Sequence, residues 1–555
     1  MQPFLEFLLF FSKIAVASAS IWWCSTRFFW HHLPQDVQAH IGAISVVLSF
    51  LGLYLDDAYI HTYFRSPLRH VPTMKVLSSM KLVTETPRGE TVLRWMQDHP
   101  QTDLLRLRTT LGFGFAMLYP LSPTALRDVM STNTYDFVKP WGLRAFLARI
   151  IGFGLITSEG NPHKHQRKAL TPAFNIKNIR ALYPAMWEQA GILVDQMLKQ
   201  SQQIGQIEVG GWASRLALDV IGTAALSHNF NSLVTSEHQI AKSFLSILDP
   251  EPHMVVFFGL NLILPTWIAG LFPTQANKIV ERESTYLRNV CEEILDDKQA
   301  KLEGAKRTES KVEESDILGN IIAGNEFSRQ EIVDQMLTFI AAGHETTASS
   351  MSWAFHLLTL PEYKHYQKIL REEVRSAIPS LGGQGKLTIE DAPLHNVIES
   401  LPYLNGVCEE VLRLFPAVPT TLREAIRDTS IAGAAVPKGT WIVLSPWSIN
   451  RNPHFWGADA HKFRPERWMD QLPDGTKRPN KNGGAQSNYC EITFLHGQRA
   501  CIGRDFAKAE LRCVLAAIFG RCEAQRLKGD DGRVTVSGAV TIKPREGMHV
   551  SLIPV

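Results

Sequence analysis

The chain has 555 residues, of which 45% are hydrophobic and 20% are charged, values typical of a globular protein with a large core. Its formal net charge of +3 is nearly neutral for this length, which excludes the strongly basic surface of a nucleic-acid-binding protein. The seven cysteines are scattered, odd in number and contain no CxxC pair, so neither a disulfide framework nor a zinc ribbon is predicted.

The first 64 residues contain two apolar runs. The first, residues 3–23, is interrupted by Glu6 and Lys13, and the second, residues 41–55, ends at two aspartates. Each run is at or below the ~20 apolar residues that a transmembrane helix needs. We predict that residues 1–64 form a membrane anchor with one or two spans. The alternative is a cleaved signal peptide followed by a core helix.

A basic stretch follows the second apolar run, with cations at Arg65, Arg69, Lys75 and Lys81. These cations favour the cytosolic side of a membrane for the part of the chain that comes next. Residues 66–72 begin Ser-Pro and end at a second proline, which predicts a stiff linker. We therefore assign residues 65–87 to a hinge and residues 88–555 to a single catalytic domain.

Two short elements are predicted next. Residues 104–119 alternate between apolar and polar side chains around glycines, which is typical of a β-hairpin. Residues 159–174 follow a helical pattern with Pro162 in the first turn. On that helix His163 and Arg167 are four residues apart and therefore share one face. Taken alone, the pair is equally consistent with a basic helix face exposed to water.

A long helix is predicted near the middle of the chain. Ser328 and Glu331 have the spacing of a capping box, and the helical pattern runs on until Pro361. At 1.5 Å per residue such a helix spans ~50 Å, enough to cross the whole domain. Residues 341–347 read Ala-Ala-Gly-His-Glu-Thr-Thr, and this group of poor helix formers in mid-helix indicates a function or local strain. A zinc-binding HExxH motif is excluded because residue 348 is alanine.

Charged motifs lie further along the chain. Glu410 and Arg413 are three residues apart, a spacing that carries little information because such pairs occur on many helices. Residues 422–428 alternate in the manner of strands and include Arg423. Residues 463–468 read Phe-Arg-Pro-Glu-Arg-Trp, with the second arginine at Arg467.

Residues 494–503 read Phe-Leu-His-Gly-Gln-Arg-Ala-Cys-Ile-Gly and lead into another helical pattern. Gly497 and Gly503 permit backbone conformations that are closed to other residues, and they let a bulky planar group approach closely. Cys501 lies just before the helix, where the positive end of the helix dipole is expected to lower the pKa of its thiol and favour metal binding. The alternative is that this lone cysteine is a small buried hydrophobic residue.

Four motifs resemble those of the cytochromes P450, and they follow one another along the chain in the same order as in that family. Residues 494–503 match the haem-binding pattern Phe-x-x-Gly-x-Arg-x-Cys-x-Gly of that family at every position. Residues 342–347 resemble its [AG]-G-x-[DE]-T-[TS] segment, and the two charged motifs resemble its Glu-Arg-Arg triad. The fourth is the helix that carries His163 and Arg167, where the family has a Trp and an Arg. The resemblance covers residues 65–555 and is closest to fungal microsomal members of secondary metabolism.

The resemblance implies a mainly α fold with a small β region that binds haem b, iron protoporphyrin IX. It implies a monooxygenase that inserts one oxygen atom from O₂ into a lipophilic small molecule, of terpenoid or polyketide type. Because the sequence contains no flavin or nicotinamide fingerprint, electrons would come from NADPH-cytochrome P450 reductase, with cytochrome b5 as a further candidate donor. The expected location is the endoplasmic reticulum membrane, with the catalytic domain facing the cytosol.

The resemblance also implies the residues that bind the cofactor. Cys501 is expected to be the axial iron ligand, and Arg167, Arg423 and Arg499 to neutralise the haem propionates with help from His163. The complete expected set is Cys501, Arg499, Arg167, His163, Arg423, Phe494, Gly497, Gly503 and Gly343. Arg499, Arg504 and Lys508 are expected to form a basic surface on which the reductase docks.

The same resemblance assigns two catalytic residues and a structural triad. Gly343 would leave room for O₂, Thr346 would hydrogen-bond the oxygen at the iron, and Glu345 would relay protons from solvent. The triad, which would lock the region behind the haem, is Glu410, Arg413 and Arg467. Two other functions stay open: a P450-type isomerase or dehydratase that does not use O₂, and a non-catalytic haem-binding protein.

Overall fold

The computed structural model describes residues 12–20, 47–53, 64–74, 85–108, 116–235, 239–248, 274–307, 316–382, 393–538 and 540–555. It also describes a few isolated positions, which are 23, 40, 44–45, 254, 257, 259–261 and 268. The predicted anchor therefore lies for the most part outside the described residues, as does most of an apolar segment at 253–272. Within the described part, no helix combines the length and the apolar character that crossing a membrane requires.

Helices make up most of the described part of the domain, which confirms the mainly α prediction. Their bounds are α1 Glu90–Asp98, α2 Pro123–Arg127, α3 Trp141–Ile151, α4 Gly160–Leu170, α5 Ile176–Ala181, α6 Tyr183–Ile204, α7 Val209–Leu226, α8 Gln239–Leu248, α9 Gln275–Arg307, α10 Ile317–Gly324, α11 Arg329–Thr359, α12 His365–Ala377, α13 Leu394–Ser400, α14 Pro402–Leu414, α15 Pro446–Ile449, α16 Pro453–Trp456 and α17 Arg504–Arg521.

The β region is small, as predicted. Its strands are β1 Leu104–Arg108, β2 Ala116–Pro120, β3 Phe137–Val138, β4 Ile207–Glu208, β5 Thr421–Ala425, β6 Thr429–Ile431, β7 Ala434–Val436, β8 Trp441–Leu444, β9 Met469–Gln471, β10 Lys477–Pro479, β11 Cys522–Arg526, β12 Val536–Ser537, β13 Lys543–Pro544 and β14 His549–Pro554. The main sheet has the order β1-β2-β8-β5-β3, and only the β2–β8 pair is parallel. The predicted hairpin is confirmed, since β1 pairs antiparallel with β2 from Leu104 opposite Pro120 to Arg108 opposite Ala116.

Helix α11 forms the centre of the larger hydrophobic core. It begins at the predicted capping box, in which the Ser328 and Glu331 side chains each bind the other's backbone N–H. It ends before Pro361, because the residue that precedes a proline avoids helical geometry, and Leu360 is extended. Side chains around the whole circumference of α11 are buried, as expected for a helix that crosses a domain interior. α7 packs along it, and α14 and α17 complete this core.

A second hydrophobic core covers the main sheet. It contains the inward side chains of β1, β2, β5 and β8 and apolar residues of α1 and α2. The Cys501 loop and helix α4 therefore lie in the region that joins the helical core to the sheet: Phe494 packs on the first core and Leu495 on the second. The sequence segments of all four motifs fall into ordered elements around this junction.

Candidate functional site

The Cys501 loop is folded back on itself just before α17. The Cys501 backbone N–H donates to the Phe494 carbonyl oxygen at 2.8 Å, and the Ala500 N–H donates to the Gly497 oxygen at 3.1 Å. The Phe494 ring is half-buried against the helical core, and the Lys508 ammonium lies 5.7 Å from its centre. These hydrogen bonds hold the backbone of Cys501 against Phe494, the aromatic residue at the start of the same motif.

The two glycines of the loop have different roles. Gly497 has a φ of 70°, and a Cβ atom there would collide with the Met130 carbonyl oxygen, so only glycine fits. Gly503 has an ordinary φ of −86°, and an added Cβ would lie 4.0 Å from the Cys501 sulfur, which is normal contact. The conformational freedom of glycine is therefore not used at Gly503. Its backbone N–H hydrogen-bonds the Cys501 sulfur instead.

The expected low pKa of the Cys501 thiol is also wrong for the protein alone. Burial raises this pKa, and this outweighs the Gly503 N–H and the charges of Arg167 and Arg504, which lower it. The side chain is nevertheless accessible to solvent, unlike the other described cysteines, which are buried. An accessible sulfur set deep in the protein can reach a ligand, and a bound metal ion deprotonates a coordinating thiol outright.

Helix α4 places both of its predicted residues against the loop. Arg167 donates from Nη1 to the Ala500 carbonyl oxygen at 2.7 Å, which ties the helix to the residue before Cys501. His163 is buried, and its Nδ1 lies 3.3 Å from the Tyr135 hydroxyl. Burial, followed by the charges of Arg499 and other nearby cations, lowers the pKa of His163 to about 3, so the ring is neutral at pH 7.

Arg423 and Arg499 meet in the same region. Arg423 on β5 is buried and donates to the Thr421 hydroxyl and to the Leu422 carbonyl oxygen. Arg499 is also buried and pairs with Glu159, the residue that precedes α4. Its side chain therefore points into the protein, which corrects the expectation that Arg499 belongs to an exposed docking surface. Burial and the charge of Arg499 lower the pKa of Arg423 to about 10.

We call this group the cation cluster; its members are Lys139, Arg167, Arg423 and Arg499, with Glu159 as the one carboxylate. Sequence reasoning missed Glu159 and Lys139, because neither belongs to a motif. Arg499 pairs with Glu159 through Nη2, while its Nε and Nη1 have no hydrogen-bond partner among the described residues. Buried cations in excess of carboxylates are costly without an anionic partner. The two propionates of a haem fit this charge and the unused donors, and Cys501 could supply the thiolate ligand.

Helix α11 carries the predicted catalytic residues at its centre. An added Cβ at Gly343 would lie 3.0 Å from Ile221 of α7, so this glycine also allows the two helices to pack closely. The Thr346 hydroxyl donates to the Ala342 carbonyl oxygen at 2.6 Å. Glu345 lines a cavity of about 400 Å³ together with His344 and side chains of α7 and α8. His344 is buried, with Nε2 at 2.5 Å from the Ser214 hydroxyl oxygen.

The residues predicted as a structural triad form a compact buried group, which we call the Glu410 cluster: Glu410, Arg413 and Arg467. Glu410 pairs with Arg413 at 2.7 Å and with Arg467 at 3.2 Å, and it accepts from the Trp468 indole N–H at 3.0 Å. The remaining Arg413 nitrogens donate to backbone carbonyl oxygens between residues 450 and 462. The cluster therefore joins α14 to the segment that leads to the Cys501 loop.

Comparison with known proteins places this geometry in a family. The family model described as "Cytochrome P450" matches residues 114–550. Cytochrome P450 monooxygenase sphH of Aspergillus fumigatus is 35% identical over 532 residues, which cover 93% of this chain and 94% of that protein. Cytochrome P450 monooxygenase ALT8 of Alternaria alternata is 34% identical, covering 88% of this chain and 90% of that protein.

A third relative is Cytochrome P450 monooxygenase FUM15 of Gibberella moniliformis, which is 33% identical and covers 90% of each chain. All three relatives are fungal monooxygenases by name, and monooxygenases are oxidoreductases. The family implies a haem cofactor, O₂, a redox partner and a small-molecule substrate. Because the family model spans most of the chain and the relatives match almost end to end, this protein belongs to the cytochrome P450 family of monooxygenases.

Proposed function

We propose that this protein is a haem-thiolate monooxygenase that binds haem b through Cys501 and inserts one oxygen atom from O₂ into a C–H or C=C bond of a lipophilic small molecule. The second oxygen atom leaves as water, with two electrons and two protons. The observation that carries the proposal is the combination of an accessible Cys501 with the cation cluster beside it, in which the side chains of Arg423 and Arg499 are buried. A thiolate ligand to haem favours O–O cleavage, which is the chemistry that the bound cofactor supplies.

The residues of the chain have distinct proposed roles around that cofactor. Cys501 holds the iron, while Gly503 and Arg167 keep the sulfur and the loop in place through their N–H groups. Arg499 and Arg423 bind the propionates. Phe494 packs beside the Cys501 backbone, and the surroundings of a ligating sulfur tune its electron donation to the metal.

Protons reach the reaction through α11. Glu345 lines the cavity beside α7 and takes protons from water there at its carboxylate. Thr346 is the next residue, and its hydroxyl oxygen keeps lone pairs for accepting a hydrogen bond while its proton is donated to Ala342. A carboxylate followed by an alcohol therefore forms a short path for protons towards the site where O₂ reacts.

Electrons come from NADPH-cytochrome P450 reductase, with cytochrome b5 as a second donor. The start of α17 is the proposed docking surface, and it contains Arg504 and Lys508. Arg504 pairs with Asp505 and Lys508 with Glu409, so a reductase would meet pairs of charges there. We further propose that residues 1–64 anchor the protein in the endoplasmic reticulum membrane, that residues 65–87 form the hinge, and that the catalytic domain, residues 88–555, faces the cytosol.

The proposed substrates are terpenoid or polyketide precursors of fungal secondary metabolites. The support is the fungal origin of the relatives and their near-complete coverage of this chain. A comparison of metabolites by mass spectrometry, with and without the gene, tests this step. Loss of a product together with accumulation of a precursor lighter by one oxygen atom supports monooxygenation. A precursor that is isomeric with the product, or differs from it by water, contradicts it in favour of an isomerase or dehydratase.

The first prediction concerns the iron ligand. In Cys501→Ser the reduced protein with carbon monoxide should lose the thiolate-type shift of the Soret band completely, because serine supplies no thiolate. The matched control is Cys490→Ala, a buried cysteine in the preceding segment, which should keep the shifted band. A thiolate spectrum that survives Cys501→Ser would assign the iron to another residue.

A further inference from the structure

The short β3–β5 pairing brings two cations to opposite positions. β3 pairs antiparallel with β5, with Phe137 opposite Ala425 and Val138 opposite Glu424. Lys139 and Arg423 each lie one residue beyond the last paired positions, so an extension of this register by one residue places them opposite each other. Pro140 follows Lys139 and favours the extended backbone that such an extension needs. Side chains at opposite positions lie on the same face of a sheet, where like charges destabilise the pair.

The nearby carboxylate does not balance these two charges. Glu159 accepts the backbone N–H of Lys139 at 2.9 Å through Oε1, and its other oxygen pairs with Arg499. The Lys139 ammonium itself makes no hydrogen bond or ion pair among the residues that the structure describes. Burial, and next to it the charge of Arg423, lower the pKa of Lys139 to about 7. Glu159 is the one carboxylate that acts on Lys139, and because Arg499 shares it, its single charge does not balance the cations around it.

The helix α4 motif of the chain departs from the family pattern at the same place. His163 stands where the family has a Trp that donates to a propionate, and the surrounding cations and burial keep the His163 ring neutral. Its Nδ1 is close to the Tyr135 hydroxyl. The charge of Lys139 is among those that act on His163, which puts the ammonium in reach of the same part of the site.

We propose that Lys139 binds a haem propionate, which it shares with Arg423 across the β3–β5 pair. A carboxylate between the two cations turns an unfavourable pairing into two charge-assisted hydrogen bonds. Lys139 thereby replaces the neutral donor that the family has at the position of His163. The inference rests on the haem binding of the proposed function, and it adds a ligand that none of the four motifs contains.

The test is the rate at which purified holoenzyme loses haem to an excess of apomyoglobin. Lys139→Met keeps the length of the side chain and removes the charge, and we expect haem to be released about tenfold faster, or more, for loss of one charge-assisted hydrogen bond. Lys139→Arg should release haem at close to the unchanged rate. Lys168→Met is the matched control, because Lys168 is an exposed lysine on α4 and its loss changes the net charge equally.

Haem in which both propionates are methyl esters has no propionate charge. It therefore shows whether Lys139 acts by pairing with a propionate or only by packing. If Lys139 acts through a propionate, the unchanged chain and Lys139→Met should release the ester at equal rates. The proposal is overturned if Lys139→Met loses ordinary haem no faster than Lys168→Met, or if it still loses the ester about tenfold faster than the unchanged chain. Should Lys139→Met not be recovered folded, as judged by circular dichroism, Lys139→Gln takes its place in both comparisons.

The haem-transfer result for Lys139 does not depend on whether the proposed monooxygenation occurs. Haem transfer is followed by the absorbance of the myoglobin that forms, which does not depend on turnover. A protein that binds haem without a thiolate spectrum contradicts the assignment of Cys501 but still reports on Lys139. A protein with the thiolate spectrum, and with Lys139→Met equal to its control, contradicts only the role of Lys139.

Discussion

The two buried groups of charge in this protein differ in how completely their hydrogen bonds are made. In the Glu410 cluster, the carboxylate accepts from both arginines, from the Trp468 indole and from the Arg464 backbone N–H. Arg413 and Arg467 use their other nitrogens on backbone carbonyl oxygens. Every charge in this cluster has partners inside the protein, so the cluster holds elements together and needs no ligand.

The cation cluster is the opposite case. Its cations outnumber its one carboxylate, Glu159, and the buried Arg499 Nε and Nη1 have no hydrogen-bond partner among the described residues. Both clusters contain buried arginines, so the presence of a buried arginine does not distinguish them. The number of unmade hydrogen bonds does, because a buried donor without an acceptor is costly unless a ligand supplies one. The comparison separates a finished structural group from a binding site.

The largest expected effect is in the Glu410 cluster. Glu410→Gln keeps the size of the side chain but leaves the buried Arg413 without a carboxylate, while Arg467 keeps only its pair with Asp459. Breaking a buried ion pair costs on the order of 3–5 kcal/mol. We expect the midpoint of urea unfolding of the holoenzyme to fall markedly. The control is Glu372→Gln on α12, an exposed carboxylate that pairs with Lys368 one turn away and should cost about 1 kcal/mol or less. Equal shifts for the two variants would contradict the structural role of the cluster.

A smaller effect of a different kind is expected in the cation cluster. Arg423→Met should speed the release of haem by about tenfold to a hundredfold, the equivalent of one hydrogen bond to a charged group, while the fold is kept. The measurements are haem transfer to apomyoglobin and circular dichroism. Arg427→Met is the control, since Arg427 lies just beyond the same strand but pairs with Asp136 at an exposed position. Unfolding of Arg423→Met without faster release from folded protein would show that Arg423 is structural.

Local patterns in the sequence predicted the main elements. The capping box and Pro361 set the ends of α11 correctly, because both act within one helical turn. The loop around Cys501 and the helix that carries Arg167 were also placed correctly as elements. Such features depend on neighbours in the chain, and a sequence shows them directly.

Features that depend on distant contacts were missed or wrong. Lys139 meets Arg423 only through the β3–β5 register, whose two strands lie far apart in the chain. The burial that raises the pKa of the Cys501 thiol, and the inward direction of Arg499, also arise from packing between separate elements. Gly503 shows a third limit, because a glycine in a motif does not reveal whether its φ, its small size or its N–H is used.

The smallest expected effect is at Thr346. A hydroxyl that already makes a hydrogen bond inside the protein can still act in catalysis, so a complete set of hydrogen bonds does not by itself exclude a functional role. Thr346 donates to the carbonyl oxygen four residues before it, and so does Thr359 on the same helix, at 2.6 and 2.7 Å. By hydrogen-bond satisfaction the two threonines are alike. They differ in position, because Thr346 follows the Glu345 that lines the cavity, while Thr359 ends the helix.

Thr346→Ala should therefore lower the product formed per NADPH consumed by about fivefold, the equivalent of one hydrogen bond of ~1 kcal/mol, with the difference appearing as reduced oxygen species. Thr359→Ala should leave this ratio unchanged, although it removes a bond of the same kind. The measurement is product by mass spectrometry against NADPH by absorbance, with the reductase present in excess. Equal ratios for both variants would mean that Thr346 only completes its helix, and that hydrogen-bond satisfaction alone identifies the functional groups of this site.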